Sequence, residues 1–196
     1  FAATVPPQAL QGLRNNPNIE YVEADAPRYP SAQTTPWGIS RVQAPDTVAT
    51  GANGTGIKVC VIDSGINAGH EEFAGISMTG YPSGWNNDSC GHGTHVAGTI
   101  GASTNNNVGV AGIAGWERQG LDVKIISGRV FGSSGGTTSA EIITAVRWLI
   151  TQNVDVANFS LGGYGTSTTE ESTFRDLYNG NTVVIAAAGN DALDND

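Results

Sequence analysis

Four short, mostly apolar segments recur along the chain from residue 57 onwards. They are rich in Val and Ile, and Gly, Asn and Ser residues lie near their ends. Such runs are typical of strands that are buried on both faces of a parallel sheet. The pattern predicts strands at Ile57–Ile62, Val123–Ser127, Val154–Phe159 and Thr182–Ala188, and we expect all four to be fully buried.

Helical periodicity appears between these runs. The pattern predicts helices at His92–Ile100, Ser139–Gln152 and Thr169–Asn179. The second is the clearest, because apolar residues recur on one face and Ser139 is suited to cap its N-terminus. Alternating strands and helices predict an α/β fold with a doubly wound, mainly parallel sheet and right-handed crossovers. In such sheets, ligands bind beyond the carboxyl ends of the strands.

The first thirty residues have a different organisation. A short helix is expected at Val5–Asn15, and alternating polar and apolar residues predict a half-buried strand at Asn18–Glu23. Three prolines then follow within ten residues, and each restricts itself and its predecessor to non-helical angles. We therefore expect an extended linker here, which divides the chain into segments 1–31 and 32–196.

Composition narrows the class of protein. The 196 residues include 9 Lys and Arg against 18 Asp and Glu, a net charge of −9, and 39% are hydrophobic. The chain is too apolar for a disordered protein and has no run of about 18 apolar residues that could span a membrane. Its few basic residues are scattered, which argues against nucleic acid as the main partner. The two cysteines are not expected to pair, because Cys60 lies inside a strand and Cys90 near its rim.

Three polar side chains are expected at the same sheet edge. Asp63 directly follows the first strand, His92 begins a helix, and Asn190 follows the last strand. Each alone has a plainer explanation as a turn or helix-end residue. Together, an Asp to orient an imidazole, a His to move a proton and an amide donor form a site for acyl-group chemistry.

Other interpretations of these residues are possible. His92 and His95 could face one zinc ion together with Asp63 or His70, although the helix has no accompanying Glu. His95 is more simply a packed core residue. The glycine-rich stretch 51–56 suggests a dinucleotide site, but it precedes the strand instead of following it, which is the wrong end for a phosphate cradle.

Four motifs resemble those of the subtilisin-like serine proteases, or subtilases. Val61–Ile66 resembles the aspartate motif of that family, and His92–Gly98 its histidine motif almost letter for letter. Asn158–Gly163 resembles the segment that lines the peptide cleft, and Ala187–Asn190 the oxyanion segment. The motifs occur in the family's order, and the resemblance runs from about residue 32 to the last residue.

The resemblance implies a role for each of these residues. His92 would deprotonate a serine, Asp63 would orient His92, and Asn190 would stabilise the oxyanion. An extended peptide or protein substrate would lie between two segments of the cleft and fill a pocket after the last strand. The implied substrate-binding residues are Ser134, Gly135 and Gly136, then Ser160, Leu161 and Gly162, and for the pocket Ala187, Ala188 and Gly189.

The resemblance also shows what the 196 residues lack. The family's nucleophile is a Ser in a Gly-Thr-Ser motif several dozen residues beyond the oxyanion Asn, whereas six residues follow Asn190 here. Gly165–Ser167 has the same three letters but precedes the last strand, and we expect it to be a loop. The chain alone is therefore expected to be inactive. The alternative is a non-catalytic module that binds peptides.

The N-terminal segment resembles the end of an inhibitory propeptide. Ile19–Asp25 is similar to the close of the family's propeptide, and Gln33–Ile39 to the start of the mature enzyme. The resemblance implies a secreted, monomeric enzyme whose residues 1–31 inhibit it within the same chain until a cut near residues 29–32. No signal peptide is visible in this sequence.

A structural calcium ion is also implied by the family. Gln33 matches a ligand at the mature N-terminus, and Glu72 stands where an Asp is usual. The loop at 104–110 resembles the family's calcium loop, and oxygen-only ligands suit a hard cation. The alternative is an Asn-rich turn; no organic cofactor is expected. The implied calcium ligands are the side chains of Gln33, Glu72 and Asn106 and the carbonyls of Thr104, Val108 and Val110.

Overall fold

The computed structural model describes residues 5–19, 21–22, 33–114, 123–133 and 135–190. The chain divides into two compact units, Phe1–Pro30 and Ser31–Asp196. The boundary expected between residues 31 and 32 lies outside the described residues, so it stays a prediction.

The described residues of the first unit form one helix, α1, at Pro7–Arg14. It starts at a proline, whose fixed φ and missing N–H suit the first helical position. The strand expected at 18–23 is wrong for its described residues: Asn18 lies in a turn, and Ile19, Tyr21 and Val22 have no strand conformation. The Asn16 side chain accepts a hydrogen bond from Asn18 N at 2.9 Å, and such local bonds favour a turn over a strand.

The second unit is built on one parallel sheet of five strands in the order β2-β3-β1-β4-β5. This confirms the predicted α/β fold. The sequence pattern missed β2, whose four residues contain neither Val nor Ile. The strands are β1 Lys58–Asp63, β2 Met78–Tyr81, β3 Lys124–Arg129, β4 Val156–Phe159 and β5 Val183–Ala186.

Helices flank both faces of this sheet. The three predicted helices occur within one or two residues of their expected bounds, whereas two short helices and a 3₁₀ turn at Glu71–Phe73 were not predicted. The helices of this unit are α2 Trp37–Arg41, α3 Ala44–Ala49, α4 His92–Gly101, α5 Ser139–Thr151 and α6 Thr168–Asn179. None of the helices in the described ranges is long and apolar enough to cross a bilayer.

The two sheet faces bury separate apolar clusters. On one face, α5 and α6 cover strand residues such as Ile62 and Phe159. On the other, α4 packs through Ala97 against Val61 and Ile125. The core is therefore thickest around the central strand β1, whose carboxyl end supplies Asp63.

Side-chain caps set the start of two helices. Thr138, not the predicted Ser139, caps α5, and it forms a capping box with Glu141. Ser139 is already the first helical residue. Ser167 caps α6 by accepting a hydrogen bond from Glu170 N at 3.2 Å.

The expectation that the last strand is buried on both faces is wrong. β5 is the edge strand of the sheet, with Val183 54% and Ile185 49% exposed. These two side chains share a face with Val156 of β4, while α4 lies over β1 and β3 on that face. Nothing among the described residues covers this end of the sheet.

Candidate active site

Asp63 ends the central strand at the sheet edge predicted for the site. Its side chain is 1% exposed, and both carboxylate oxygens have hydrogen-bond partners. Oδ1 accepts a hydrogen bond from Ser64 N at 2.7 Å, and the two oxygens lie 2.8 and 2.9 Å from His92 Nδ1. The structure thus brings together two of the three residues that the sequence assigned to one site.

His92 is the first residue of α4, and 53% of its side chain is exposed. A carboxylate has no proton to give, so the short contact requires the imidazole to donate its Nδ1–H to Asp63. In the neutral ring this leaves Nε2 with a free lone pair. The arrangement is therefore that of a general base whose tautomer is selected by a buried carboxylate.

The close approach of α4 to β1 depends on Gly93. A Cβ there would collide with the carbonyl oxygen of Gly65 and lie 3.1 Å from Asp63 Cβ. Ala97, one turn later, is fully buried against the sheet. A Cβ at Gly98, by contrast, would meet nothing within 4 Å, so the close approach does not depend on that glycine.

Asp88 is a site residue that the sequence analysis missed. It lies in the loop that precedes α4, and its carboxylate accepts hydrogen bonds from Cys90 and Gly91 in that loop, from Thr94 in α4 and from Ser64 after β1. Desolvation alone raises the pKa of Asp88, but the hydrogen bonds from Thr94, Gly91 and Ser64 outweigh it and leave the pKa below its ordinary value. An Asp shortly before a predicted helix is a start signal that could have identified it.

The oxyanion segment lies at the same edge of the sheet. β5 runs parallel to β4 and β1, with Ala186 in register with Phe159 and Phe159 with Ile62. Residues 187–190 therefore leave the sheet at the end where Asp63 stands, and all four are exposed. Asn190 offers a side-chain amide to solvent at this edge.

Two loops flank the carboxyl end of β1. β3 and β4 are its neighbours on either side, and the expected cleft segments follow these strands. Gly135 and Gly136 are exposed, and Gly135 has a φ of +75°, which favours glycine. After β4, Leu161 packs partly on the core and Gly162 is exposed. The predicted residue Ser134 lies outside the described residues.

Ser160, at the start of the second cleft segment, is held by a neighbour. Its hydroxyl accepts a hydrogen bond from Asn158 Nδ2 at 2.9 Å. The next chain segment is tied to the same strand end, because Ala187 N donates to Phe159 O at 3.1 Å. The cleft segment and the pocket segment therefore start from one rigid strand end.

A second polar cluster gathers four of the six expected calcium ligands. The carboxylate of Glu72 is 4% exposed and accepts hydrogen bonds from Asn106 Nδ2 and Val110 N. Gln33 Nε2 donates to Asn106 Oδ1, to Val110 O and to Ser103 O, at 3.0, 3.3 and 2.7 Å. Three oxygens thus converge on the amide of Gln33.

The other two expected calcium ligands, Thr104 and Val108, lie in the same loop as Asn106. Thr104 is buried in the same loop, and Val108 joins the cluster through its N–H, which donates to Asn106 Oδ1 at 3.2 Å. A Cβ at Gly109, whose φ is +51°, would fall on the carboxylate of Glu72. Gln33 Oε1 accepts from Asn105 N at 2.7 Å, so it is the NH₂ group of Gln33 that faces the oxygens of Ser103, Asn106 and Val110. A set of side-chain and carbonyl oxygens of this kind suits a hard cation.

The geometry of His92 and His95 does not support the zinc interpretation. His92 Nδ1 is occupied by Asp63, and His95 is exposed instead of packed in the core as expected. Across the described ranges there is no cluster of three or more His, Cys, Asp or Glu side chains suited to a metal. Both cysteines are free, as predicted, with Cys60 buried and Cys90 exposed.

A cavity of about 580 Å³ lies on the outer side of α4. It is mostly apolar, and its lining includes Ile39, Phe73 and His95 but neither Asp63 nor His92. The cavity is therefore separate from the Asp63–His92 contact, although Glu72 and Val110 of the second polar cluster also line it, and we assign no substrate to it.

Comparison with known proteins agrees with this geometry. The model of the subtilase family, peptidase S8, matches residues 54–196. Subtilisin E of Bacillus subtilis strain 168 is 37% identical over 193 residues, which cover 97% of this chain and 49% of that protein. M-protease of Shouchella clausii strain KSM-K16 is 39% identical over 188 residues, which cover 94% of this chain and 47% of that protein.

A solved structure gives the same result. The crystal structure of a psychrophilic subtilisin-like protease from the Antarctic psychrotroph Pseudoalteromonas sp. AS-11 superposes with a TM-score of 0.70 at 34% sequence identity. The match covers 81% of this chain and 36% of that one. The chain therefore spans about half the length of the curated relatives it matches.

Proposed function

The chain belongs to the subtilase family, and on this premise we propose that it is the part of a serine endopeptidase that supplies the Asp and His of an Asp-His-Ser triad. The observation that carries the proposal is the contact between His92 Nδ1 and the buried carboxylate of Asp63. It leaves the exposed Nε2 facing away from the strand, where a serine hydroxyl would be held.

The proposed reaction is the hydrolysis of a peptide bond. Nε2 of His92 removes the hydroxyl proton of the nucleophile as its oxygen bonds to the scissile carbonyl carbon, and Asp63 stabilises the imidazolium that forms. Nε2 then returns the proton to the leaving amine, and water releases the acyl group in a second, equivalent round. The side-chain amide of Asn190 donates to the oxyanion.

The substrate is proposed to lie as an extended strand across the carboxyl end of β1. Residues 134–136 and 160–162 would pair with its backbone on either side. Ala187, Ala188 and Gly189 would line the pocket for the residue before the cut, where their small size leaves room for a side chain. The position of both loops next to β1 in the sheet supports this arrangement.

We propose that the nucleophile comes from polypeptide beyond these 196 residues. The described residues place no hydroxyl group in hydrogen-bond contact with His92, and Ser167 instead caps α6. Because the triad acts as a unit, the 196-residue chain alone is proposed to be inactive. Subtilisin E is about twice as long as this chain, and about half of its length lies outside the matched part.

Three further properties are proposed because the chain resembles the family. Residues 1–31 are proposed to be the end of a propeptide that inhibits the enzyme until it is cut. The enzyme is proposed to be secreted and monomeric. The two compact units, which separate at Pro30 and Ser31, support a cleavable N-terminal segment.

A structural Ca²⁺ is proposed at the cluster around Glu72. The side chains of Gln33, Glu72 and Asn106 and the carbonyls of Thr104, Val108 and Val110 would hold it. Bound there, the ion would supply the positive charge that the buried carboxylate of Glu72 lacks. The burial of Glu72 and the convergence of oxygens on Gln33 support this site.

The test is to express the chain with and without the coding sequence that continues past Asp196. We expect the extended protein to cleave a peptide p-nitroanilide and to be labelled by a fluorophosphonate, and the 196-residue chain to do neither. His92→Ala in the extended protein should abolish cleavage, while His95→Ala, an exposed His on the same helix, should not. An extended, folded protein without cleavage or labelling would contradict the proposal.

A stop codon directly after Asp196 would favour the alternative, a peptide-binding module without catalysis. The same loops that flank β1 would then bind an extended peptide that is never cut. Binding of an uncleaved peptide by the 196-residue chain, measured by calorimetry, would support that function. It would be lost if residues 160–162 were replaced by a bulky sequence.

A further inference from the structure

The carboxylate of Asp88 has an unusually complete set of hydrogen-bond donors. Oδ1 accepts from Ser64 Oγ, Cys90 N and Gly91 N at 2.9, 3.1 and 2.8 Å. Oδ2 accepts from N and Oγ1 of Thr94 at 2.9 and 2.6 Å. Four separate residues are therefore held by one half-buried side chain.

These bonds replace the cap that α4 lacks. The residue before the helix is Gly91, which has no side chain and a φ of +84°. N–H groups at a helix start have no partner within the helix. Asp88 takes two of the N–H groups that precede His92 and one, from Thr94, that follows it, so its donors lie on both sides of the imidazole residue.

A second arm of the network reaches the strand that carries Asp63. Ser64 Oγ donates to Asp88 and accepts a hydrogen bond from Gly93 N at 2.9 Å. Ser64 N donates to Asp63 Oδ1 at 2.7 Å. Asp88 is thus linked through Ser64 both to the carboxylate of Asp63 and to Gly93, the residue that follows His92.

We propose that Asp88 is a positioning residue for His92: by binding the start of α4 and Ser64 at once, it sets the contact between His92 Nδ1 and Asp63. It touches no reacting atom itself. The inference deepens the function proposed above and rests on it for its catalytic meaning, but the contact that Asp88 sets can be measured in the chain without catalysis.

The test observes the proton on His92 Nδ1 by NMR in the 196-residue chain. A proton shared between an imidazole and a carboxylate resonates far downfield and exchanges slowly with water. In Asp88→Ala we expect this resonance to disappear or its exchange to quicken roughly 5- to 30-fold, the factor that corresponds to the loss of one helix cap.

A conservative variant separates positioning from general stabilisation. Asp88→Asn keeps one oxygen for Ser64, Cys90 and Gly91, but places an NH₂ group against the N–H of Thr94. We expect it to restore part of the resonance that Asp88→Ala loses. Thr94→Val, which removes the Oγ1 donor to Asp88 together with the acceptor of Asn67 N, should cause a smaller increase in exchange and replaces Asp88→Ala if that variant does not fold.

The matched control is Ser167→Ala, which removes the cap of α6. It should lower thermal stability by a comparable amount and leave the His92 resonance unchanged. A folded Asp88→Ala, or Thr94→Val in its place, with an unaltered resonance and exchange rate would overturn the role of Asp88. Absence of the resonance in the parent chain would instead contradict the His92–Asp63 contact on which the proposed function depends.

Discussion

At the scale of single residues, burial has different consequences for two side chains of β1. Asp63 is buried with donors on both sides, from Ser64 and His92, so its oxygens are satisfied. Cys60, three residues earlier, is fully buried, and desolvation raises its thiol pKa far above the ordinary value despite a backbone hydrogen bond with Gly128. The same strand therefore holds a hydrogen-bonded carboxylate at its end and an inert thiol in its middle.

The two thiols should react at very different rates. Iodoacetamide should label Cys90, which is exposed, and leave Cys60 unmodified in the folded chain, because only a thiolate is nucleophilic and burial suppresses it. Mass spectrometry of the labelled chain measures this. In the control variant Cys90→Ser, labelling should appear only after urea is added; equal labelling of both cysteines in the folded chain would contradict the described burial.

The pKa of Asp88 predicts how stability depends on acid. Because its folded pKa is depressed, the carboxylate contributes stability that is complete above the unfolded pKa and is lost as the pH falls through the folded pKa. The stability difference between the parent and Asp88→Asn should therefore shrink below about pH 4, near the ordinary Asp pKa. Urea unfolding at several pH values measures it.

Ser89→Ala, in the same loop, removes no ionisable group and serves as the control for this measurement. Its stability relative to the parent should not vary over the same pH range. A difference between the parent and Asp88→Asn that stays constant from neutral to acid pH would show that the Asp88 carboxylate is not preferentially stabilised in the folded chain.

At the scale of elements, the helices differ in how they begin. α5 and α6 start with Thr138 and Ser167, side-chain caps that stand next to the helix in sequence. α4 is preceded by Gly91, and Asp88 in the preceding loop binds the N–H groups of Gly91 and of Thr94 in the helix. The helix that carries His92 thus depends on a loop, whereas the helices that only cover the sheet do not.

Removing the cap of α5 should destabilise the protein measurably. Thr138→Ala takes away the acceptor of Glu141 N and the partner in the capping box, so the free energy of unfolding should fall by about 1 kcal/mol. Urea denaturation measures the change. Thr144→Ala, an exposed change within the same helix, is the control and should be neutral or slightly stabilising, since Ala is the better helix former.

At the scale of the whole molecule, the second unit is stabilised unequally across its sheet. The face under α5 and α6 is closed by a continuous core, whereas on the other face α4 lies over the central strands and Val183 and Ile185 remain exposed. Far from this open end, the loop around Glu72 joins Gln33 to the segment after α4. This loop is where a bound ion would stabilise distant parts of the chain together.

Calcium should raise the stability of the chain through this loop. At a Ca²⁺ concentration 100 times the dissociation constant, the expected gain in unfolding free energy is about 2.7 kcal/mol. Thermal denaturation with Ca²⁺ and with a chelator measures it. Glu72→Gln should remove most of the gain, whereas Glu71→Gln, the exposed neighbour, should keep it; an equal gain in both variants would exclude Glu72 as a ligand.

Much of the fold and part of the site could be predicted from local patterns. The strand β1 and the helix α5 were found close to their true bounds, because hydropathy periods and N-cap residues act over a few neighbours. The pairing of Asp63 with His92 was expected from motif letters and from where a parallel sheet places its strand ends. The position of Asp88 shortly before a helix could have marked it as a capping residue, but nothing in the neighbouring sequence shows that Ser64, 24 residues away, would donate to it.

The amino-acid sequence alone determined the alternation of strands and helices, the family motifs and the edge of the sheet where the polar residues meet, because these depend on residues close together in the chain. Only the tertiary structure decided that β5 is an exposed edge, that Gly93 and not Gly98 permits the close approach of α4, and that Asp88 holds the start of that helix. Coverage, close contact and hydrogen-bond partners depend on segments far apart in sequence, and only folding brings those segments together.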